Sequence, residues 1–475
     1  MATKIGSASL SAELRAEPGS FRDRNGHVYY RDDAVLRGLS APAMEEWNAL
    51  VGSEFFARNM AAGRIVQTRR VEPPGDEQWA TQWAGWLEHK RIPFVSYPYE
   101  WSFSMLKDAA VLQLELLLDA LAEDTVVKDA TAYNVQWTGS WPVFIDIPSF
   151  ERLRSGEPWT GYRQFCELLL YPLLLQAYKG IPFHPWLRGR LDGVTVEDCW
   201  RAMSWRDLLR PGVLTHVYLQ HVLQARYGQS DRRVKDDLRK AGFDKQLIVS
   251  NARGLLKLVR GLRWQRSQSA WSDYADNNSY TDMDRDRKIA FVREALAHAR
   301  PKLVWDLGCN TGTYSRIAAE YAEYVVAMDA DHLAVERLYL QLKSEGLTSV
   351  LPIVNNLSDP SPRLGWHLAE RKALEDRGKP DVTLALALIH HLVLGANIPL
   401  RGLVEWLAEL QSDVIIEFVD KDDPMAQGLL RNKVDNYADY TVEHFESLLA
   451  THFTVEKRER LASGTRTLYY ARYGR

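Results

Sequence analysis

The chain has 475 residues, with 59 Lys and Arg against 62 Asp and Glu, for a formal net charge of −3. Hydrophobic residues make up 46% and charged residues 25%, ordinary globular usage, and at roughly 150 residues per domain the length suits two or three domains. The near-neutral balance argues against a dedicated duplex-DNA binder, whose phosphate contacts leave a strong basic excess.

Three scattered cysteines, Cys166, Cys199 and Cys309, form neither a disulfide framework nor a zinc pattern, so no metal site is expected and a cytoplasmic location is. Met1 to Ser20 is polar and lacks the apolar core of a secretory signal. The most apolar run, Leu168 to Ala177, is broken by Pro172 and falls short of the roughly 18 residues of a membrane span.

In chain order, residues 1–25 read as a flexible tail and 26–230 as a mostly helical α+β domain holding most of the Trp. Val111 to Leu121 and Tyr162 to Tyr178 read as buried helices, with a short strand at Val143-Phe144-Ile145 between them. Residues 231–268 form a basic helical connector, with eleven Lys and Arg against four Asp.

From residue 269 the pattern alternates strands and helices. A helix over about Asp284 to Ala299 stops before Pro301. Strands follow at Leu303-Val304-Trp305, Tyr324 to Met328, Val350 to Val354, Asp381 to Leu388 and Asp413 to Phe418, with an alternating pair at Phe453 to Lys457 and Thr465 to Arg472. Helices near Tyr314 to Tyr321, Leu333 to Ser344, Leu400 to Leu410 and Thr441 to Ala450 separate or follow them. Short apolar strands separated by helices predict a seven-stranded, largely parallel Rossmann-like sheet with helices on both faces.

Ligands of such sheets bind at the carboxyl ends of the strands. There the sequence reads Asp306-Leu307-Gly308-Cys309-Asn310-Thr311-Gly312. Gly308 and Gly312 allow a sharp turn and close backbone approach, and Asn310 tolerates a left-handed conformation. A dinucleotide loop, Gly-x-Gly-x-x-Gly, offers bare amides to a pyrophosphate. The carboxylate of Asp306 instead favours a ligand with a cationic end.

This segment resembles the first motif of class I S-adenosylmethionine-dependent methyltransferases, with Asn310 where that family usually has Gly. Asp329, ending the second strand, matches the family's ribose-binding acid. The resemblance implies a cofactor site of Asp306, Gly308, Cys309, Asn310, Gly312, Asp329, Ala330, Asn356, Ala387 and Tyr274. The adenine amino group falls to Asp359 or Asn356, and Arg363 to Lys379, long for a strand connection, suits a cap on the substrate pocket. His390 and His391, at the exit of the fourth strand, are candidate bases, and Glu417, on the fifth strand, is a candidate proton acceptor. His390-His391-Leu392, Asn356-Leu357 with Pro360-Ser361-Pro362, and Glu417-Phe418-Val419 together are similar to the nodulation-protein (NoeA-like) methyltransferase group. That resemblance implies transfer of a methyl group to a small-molecule, sugar or protein acceptor, and fixes neither acceptor nor oligomeric state.

In the first half, Asp129 and Asn134 precede Val143-Phe144-Ile145-Asp146. The spacing resembles the catalytic loop of kinase-like folds, where an Asp accepts the substrate proton while an Asn and a second Asp hold magnesium on ATP. On that analogy Asp129 is the base, and Asn134 and Asp146 bind the metal. The sequence shows neither a glycine-rich loop upstream nor a clear strand lysine. A bifunctional kinase–methyltransferase, a non-catalytic cofactor-binding module and a nicotinamide oxidoreductase remain the alternatives.

Overall fold

The computed structural model describes residues 14–75, 81–227, 244–265 and 282–474. Strands β10 (Leu303–Leu307), β11 (Tyr324–Asp329), β12 (Val350–Val354), β13 (Val382–Ala385), β14 (Asp413–Val419), β15 (Phe453–Arg460) and β16 (Arg466–Tyr473) form a seven-stranded sheet in the order β12-β11-β10-β13-β14-β16-β15. The first five in that order run parallel, while β16 lies antiparallel between β14 and β15.

Both faces are covered, as continuous apolar strands require. Val304 and Val325 point to a cluster with Phe291, Val292 and Leu296 of the helix Asp282–Ala299. Their neighbours Trp305 and Val326 point the other way, into a cluster that includes Leu403 and Leu407 of the helix Leu400–Glu409. Alternating strand residues thus feed two cores.

The first half contains more strand than its sequence suggests. Strands β1 (Arg15–Ala16), β2 (Gly26–Arg31), β3 (Ala34–Leu39), β4 (Thr68–Val71) and β5 (Gly85–His89) form an antiparallel sheet in the order β1-β2-β3-β5-β4. The helices Ala41–Val51 and Glu54–Ala61 fall between β3 and β4. Residues 14–25 are therefore part of this sheet and its turns; Leu14 is buried and Glu17 caps a short 3-10 turn. A 20-residue helix, Phe103–Ala122, follows. After it come β6 (Thr125–Val127) paired with β9 (Phe150–Arg152), and the hairpin β7 (Val135–Thr138) and β8 (Trp141–Phe144). Of the basic connector, the described part is mainly the helix Lys245–Gly261, which buries Leu255, Leu256 and Val259.

One core runs through both halves. Leu106, Leu117 and Leu169 share a cluster with Trp305, Met328 and Tyr339, and the Phe94 ring meets Trp305 edge-on at 6.0 Å. Arg377 and Glu100 form a buried bidentate ion pair at 2.7 Å. At the β7–β8 turn, Gly139 has φ +58° and an added Cβ would lie 2.2 Å from the Thr348 carbonyl oxygen, so only glycine allows this approach. The excursion from Arg363 to Lys379 packs against the first half: Glu370 pairs with Arg22, Lys372 with Glu17, and Arg371 lies over the Tyr133 ring at 3.7 Å. Its charges match partners there, so it clamps the halves together, and the cap on a substrate pocket expected of it is not what its contacts make.

Candidate functional site

The turn after β10 is built from backbone hydrogen bonds and left-handed residues. Gly308 and Cys309 donate N–H bonds of 2.8 and 2.9 Å to the Met328 carbonyl. Asn310, at φ +50°, donates its N–H to Asp329 Oδ2 at 2.8 Å. Gly312, at φ +81°, lets the Leu338 side chain lie 2.4 Å from where a Cβ would be. The turn is therefore fastened to the end of β11, and brings the acids of two strands to one place.

Behind this turn Asp306 is buried and accepts a 2.5 Å bond from Ser315 Oγ. Burial pushes its carboxyl up to about 6, since a desolvated carboxylate is disfavoured unless a cation compensates it. Burial also raises Asp329, opposed by N–H bonds from Asp331 and Asn310.

A cavity of about 440 Å³ opens at the carboxyl ends of β10 to β13, the expected ligand position for such a sheet. Asp306, Gly308, Cys309, Asn310, Asp329, Ala330, Asn356, Ala387 and His391 line it. Gly312 shapes the turn from outside that lining. Tyr274 lies outside the described residues. A second cavity, about 630 Å³, sits at the amino ends of β10, β13 and β14 among Lys302, Asp381, Asp413 and Arg472, where this sheet architecture does not place ligands.

The two histidines separate. His391 lines the cavity and is lowered to about 4 by burial and Arg466, so it is neutral near pH 7. His390 is fully buried outside the lining, 4.1 Å from the His391 ring, with both ring nitrogens lacking a hydrogen-bond partner among the described residues. Burial lowers it as well. Glu417 is also fully buried: it accepts from Lys288 Nζ at 2.6 Å and from the Ala387 N–H at 2.8 Å, and pairs with Arg466. Its carboxylate is a structural anchor for Lys288 and Ala387, and is not placed to receive an acceptor's proton.

Other lining residues carry the clearest ligand signal. Asn355 is buried, lines the cavity, and neither atom of its side-chain amide has a partner among the described residues. Buried amides are normally satisfied, so this one has donor and acceptor capacity left for a ligand. Asp359 is instead held by Arg188 at 2.8 and 2.9 Å. Lys288, Arg285 and Tyr314 also line the cavity, with Lys288 Nζ 4.8 Å from the Tyr314 ring centre. Lys288 was detectable in the sequence as a charge on the apolar face of its helix, in line with Phe291, Val292 and Ala295.

In the first half, Asp129, Asn134 and Asp146 do converge. Asn134 Nδ2 donates to the Asp129 carbonyl at 3.2 Å and to Ser149 Oγ at 3.0 Å, and Ser149 Oγ donates to Asp146. Asp146 is paired with Arg37 of β3 at 2.7 Å. Burial and the nearby Asp146 raise Asp129. No His, Cys, Asp and Glu cluster suited to a metal ion occurs among the described residues, and no described helix is long and apolar enough to cross a membrane.

No family model matches the chain. Among solved structures it resembles the N-methyltransferase NodS from Bradyrhizobium japonicum WM9, at 11% identity over 42% of this chain and all of that one, TM-score 0.30. It also resembles the magnesium protoporphyrin IX methyltransferase from Synechocystis PCC 6803, at 16% identity over 42% of this chain and 90% of that one, TM-score 0.29. Sequence likeness is far more extensive to nodulation protein NoeA of Rhizobium meliloti (strain 1021), 35% identical over 454 residues, covering 95% of this chain and 94% of that protein. The chain belongs to the NoeA family.

Proposed function

We propose that the chain is an S-adenosylmethionine-dependent methyltransferase acting on an oxygen or nitrogen of a small-molecule, sugar or protein acceptor. The observation that carries this reading is one cavity that gathers Asp306, Asp329, the unpartnered amide of Asn355 and the neutral imidazole of His391. These residues fit the donor: Asp306 faces a cationic amino-acid end, Asp329 accepts from ribose hydroxyls, and Asn355 or Asn356 pairs with the base. When bound, S-adenosylmethionine supplies a sulfonium-linked methyl group open to attack by a lone pair.

The chain's own contribution is positioning, exclusion of water and proton transfer. Leu386, Leu388 and Leu392 give the cavity an apolar wall beside His391. A ring nitrogen of His391 takes the proton from the acceptor's hydroxyl or amine as that atom attacks. His390 supports His391 from behind.

Calorimetry tests the reading directly. Wild type is expected to bind S-adenosylmethionine and not a nicotinamide dinucleotide; the reverse would falsify it. Tracing a labelled methyl group in a cell extract by mass spectrometry then identifies the acceptor. His391→Ala is expected to lower turnover roughly a hundredfold and donor affinity much less. Unchanged turnover removes His391 from the mechanism.

A second reading concerns the first half. Arg37 on β3 pairs directly with Asp146, beside Asp129 and Asn134, whereas a kinase directs its strand cation to the phosphates and a helix glutamate and leaves that Asp to the metal. With Asp146 occupied by Arg37 at 2.7 Å, a scaffold role is favoured over phosphotransfer. Magnesium-dependent ATP binding that Asp146→Ala abolishes would reverse that preference.

A further inference from the structure

One short helix of the first half, His184–Gly189, reaches the loop after β12 through Arg188 and the start of the helix after β11 through His184. Arg188 donates to both carboxylate oxygens of Asp359, at 2.8 and 2.9 Å, and to the carbonyls of Asp359 and Pro360, at 3.2 and 3.1 Å. The Asp359 N–H donates to the Asn356 carbonyl at 2.9 Å, and the Ser358 N–H to Asn356 Oδ1 at 3.1 Å. That turn continues directly from Asn355, and Asn355 to Ser358 line the cavity. At the other end of the helix, His184 Nε2 donates to the Trp101 carbonyl at 2.9 Å, and its ring lies 3.9 Å from that of His332. His332 follows Asp331, whose N–H donates to Asp329 Oδ1 at 2.8 Å.

We infer that Arg188 is a positioning residue for the methyl donor: by clamping Asp359 and Pro360 it holds the Asn355–Ser358 turn in its binding shape, so the first half of the chain sets donor affinity. The inference rests on the methyltransferase reading. The turn has no ladder of its own, and a loop that must be ordered on binding takes that entropy from affinity. A planar guanidinium holding a carboxylate with two bonds and two carbonyls besides fixes direction as well as distance. An exposed ion pair adds little to global stability, so its loss acts mainly on the loop.

The test is calorimetric titration of the full chain with S-adenosylmethionine, paired with thermal melting without it. Arg188→Ala and Asp359→Ala are each expected to weaken binding roughly five- to tenfold, and the double variant no further than either alone, with melting temperatures near wild type. Arg188→Lys should recover part of the loss, because a point charge cannot make the paired bonds. Arg201→Ala, which removes an exposed pair with Glu197 one helix away, should bind as wild type. Wild-type affinity in Arg188→Ala overturns the inference, as does equal weakening by Arg201→Ala, or a loss of affinity that only tracks a loss of melting temperature. If wild type itself binds no donor, the methyltransferase reading fails instead.

Discussion

Two regions of the chain gather carboxylates around a short loop, and they end in opposite states. At the carboxyl ends of β10 and β11, Asp306 and Asp329 surround open volume beside the Asn355 amide, which has no partner among the described residues. In the first half, Asp129 and Asp146 are equally close-knit, but Arg37 and Ser149 take up the Asp146 carboxylate, and Asp129 accepts from the Thr131 N–H of its own turn. The backbone differs as well: Asn310 after β10 and Ala387 after β13 hold positive φ beside the cavity, conformations that persist where the surrounding structure over-determines them. Acids at suggestive spacing are therefore weak evidence of a site. Unspent polar capacity around a cavity is stronger.

The largest effect expected from breaking this arrangement comes from between the two regions. Arg377→Ala leaves the buried Glu100 carboxyl without its cation, and should cost about 3–5 kcal/mol of stability, read from urea unfolding. A loss below about 1 kcal/mol would show that the halves do not depend on this pair.

Next comes the open site. Asp306→Asn should weaken donor binding roughly ten- to a hundredfold. Because burial raises Asp306 to about 6, a cationic ligand must bind the form that has lost its proton. Wild-type affinity should then increase as pH rises through about 6, and this dependence should vanish in Asp306→Asn. Without ligand the sign for stability is opposite. A folded pKa above the unfolded value gives stability that is present at low pH and lost as pH rises through about 6, so Asp306→Asn should stabilise the ligand-free protein at neutral pH.

For the closed cluster, Arg37→Ala should cost about 1–3 kcal/mol and leave donor affinity at the wild-type value; a parallel loss of donor binding would remove the contrast between the regions. The smallest effect is Ala387→Gly. Relieving φ +52° should raise stability by less than about 1 kcal/mol, measured by thermal melting. A destabilised variant would mean that Ala387 stores no strain.

Much of the second half was legible because parallel strands buried on both faces read as short continuous apolar runs, as in Val350 to Val354, which forms β12 end to end. The turn from Asp306 to Gly312 was legible for a different reason: glycines and an acid at fixed spacing have few other uses. The first sheet was not. Its β1 is two residues long and β4 reads Thr-Arg-Arg-Val with its arginines exposed, so neither shows an apolar period. Asn355 escaped for the opposite reason. It stands beside Asn356, and composition cannot say which of two adjacent amides turns inward. Likewise nothing local separates His391 from His390; the π-helical turn His391–Gly395 decides it.

The contact of Phe94 with Trp305 also bears on how the chain comes apart. Because the cluster that includes Trp305 also includes Leu106, Leu117 and Leu169, one face of the second-half sheet shares its interior with the first half, while the face lined by Phe291 and Leu296 has its own. Heating should give a single calorimetric transition whose van't Hoff and calorimetric enthalpies agree, and the nucleotide-type sheet should not outlive its companion. The first half thus covers one face of the sheet, and a single transition would make the two halves one cooperative unit.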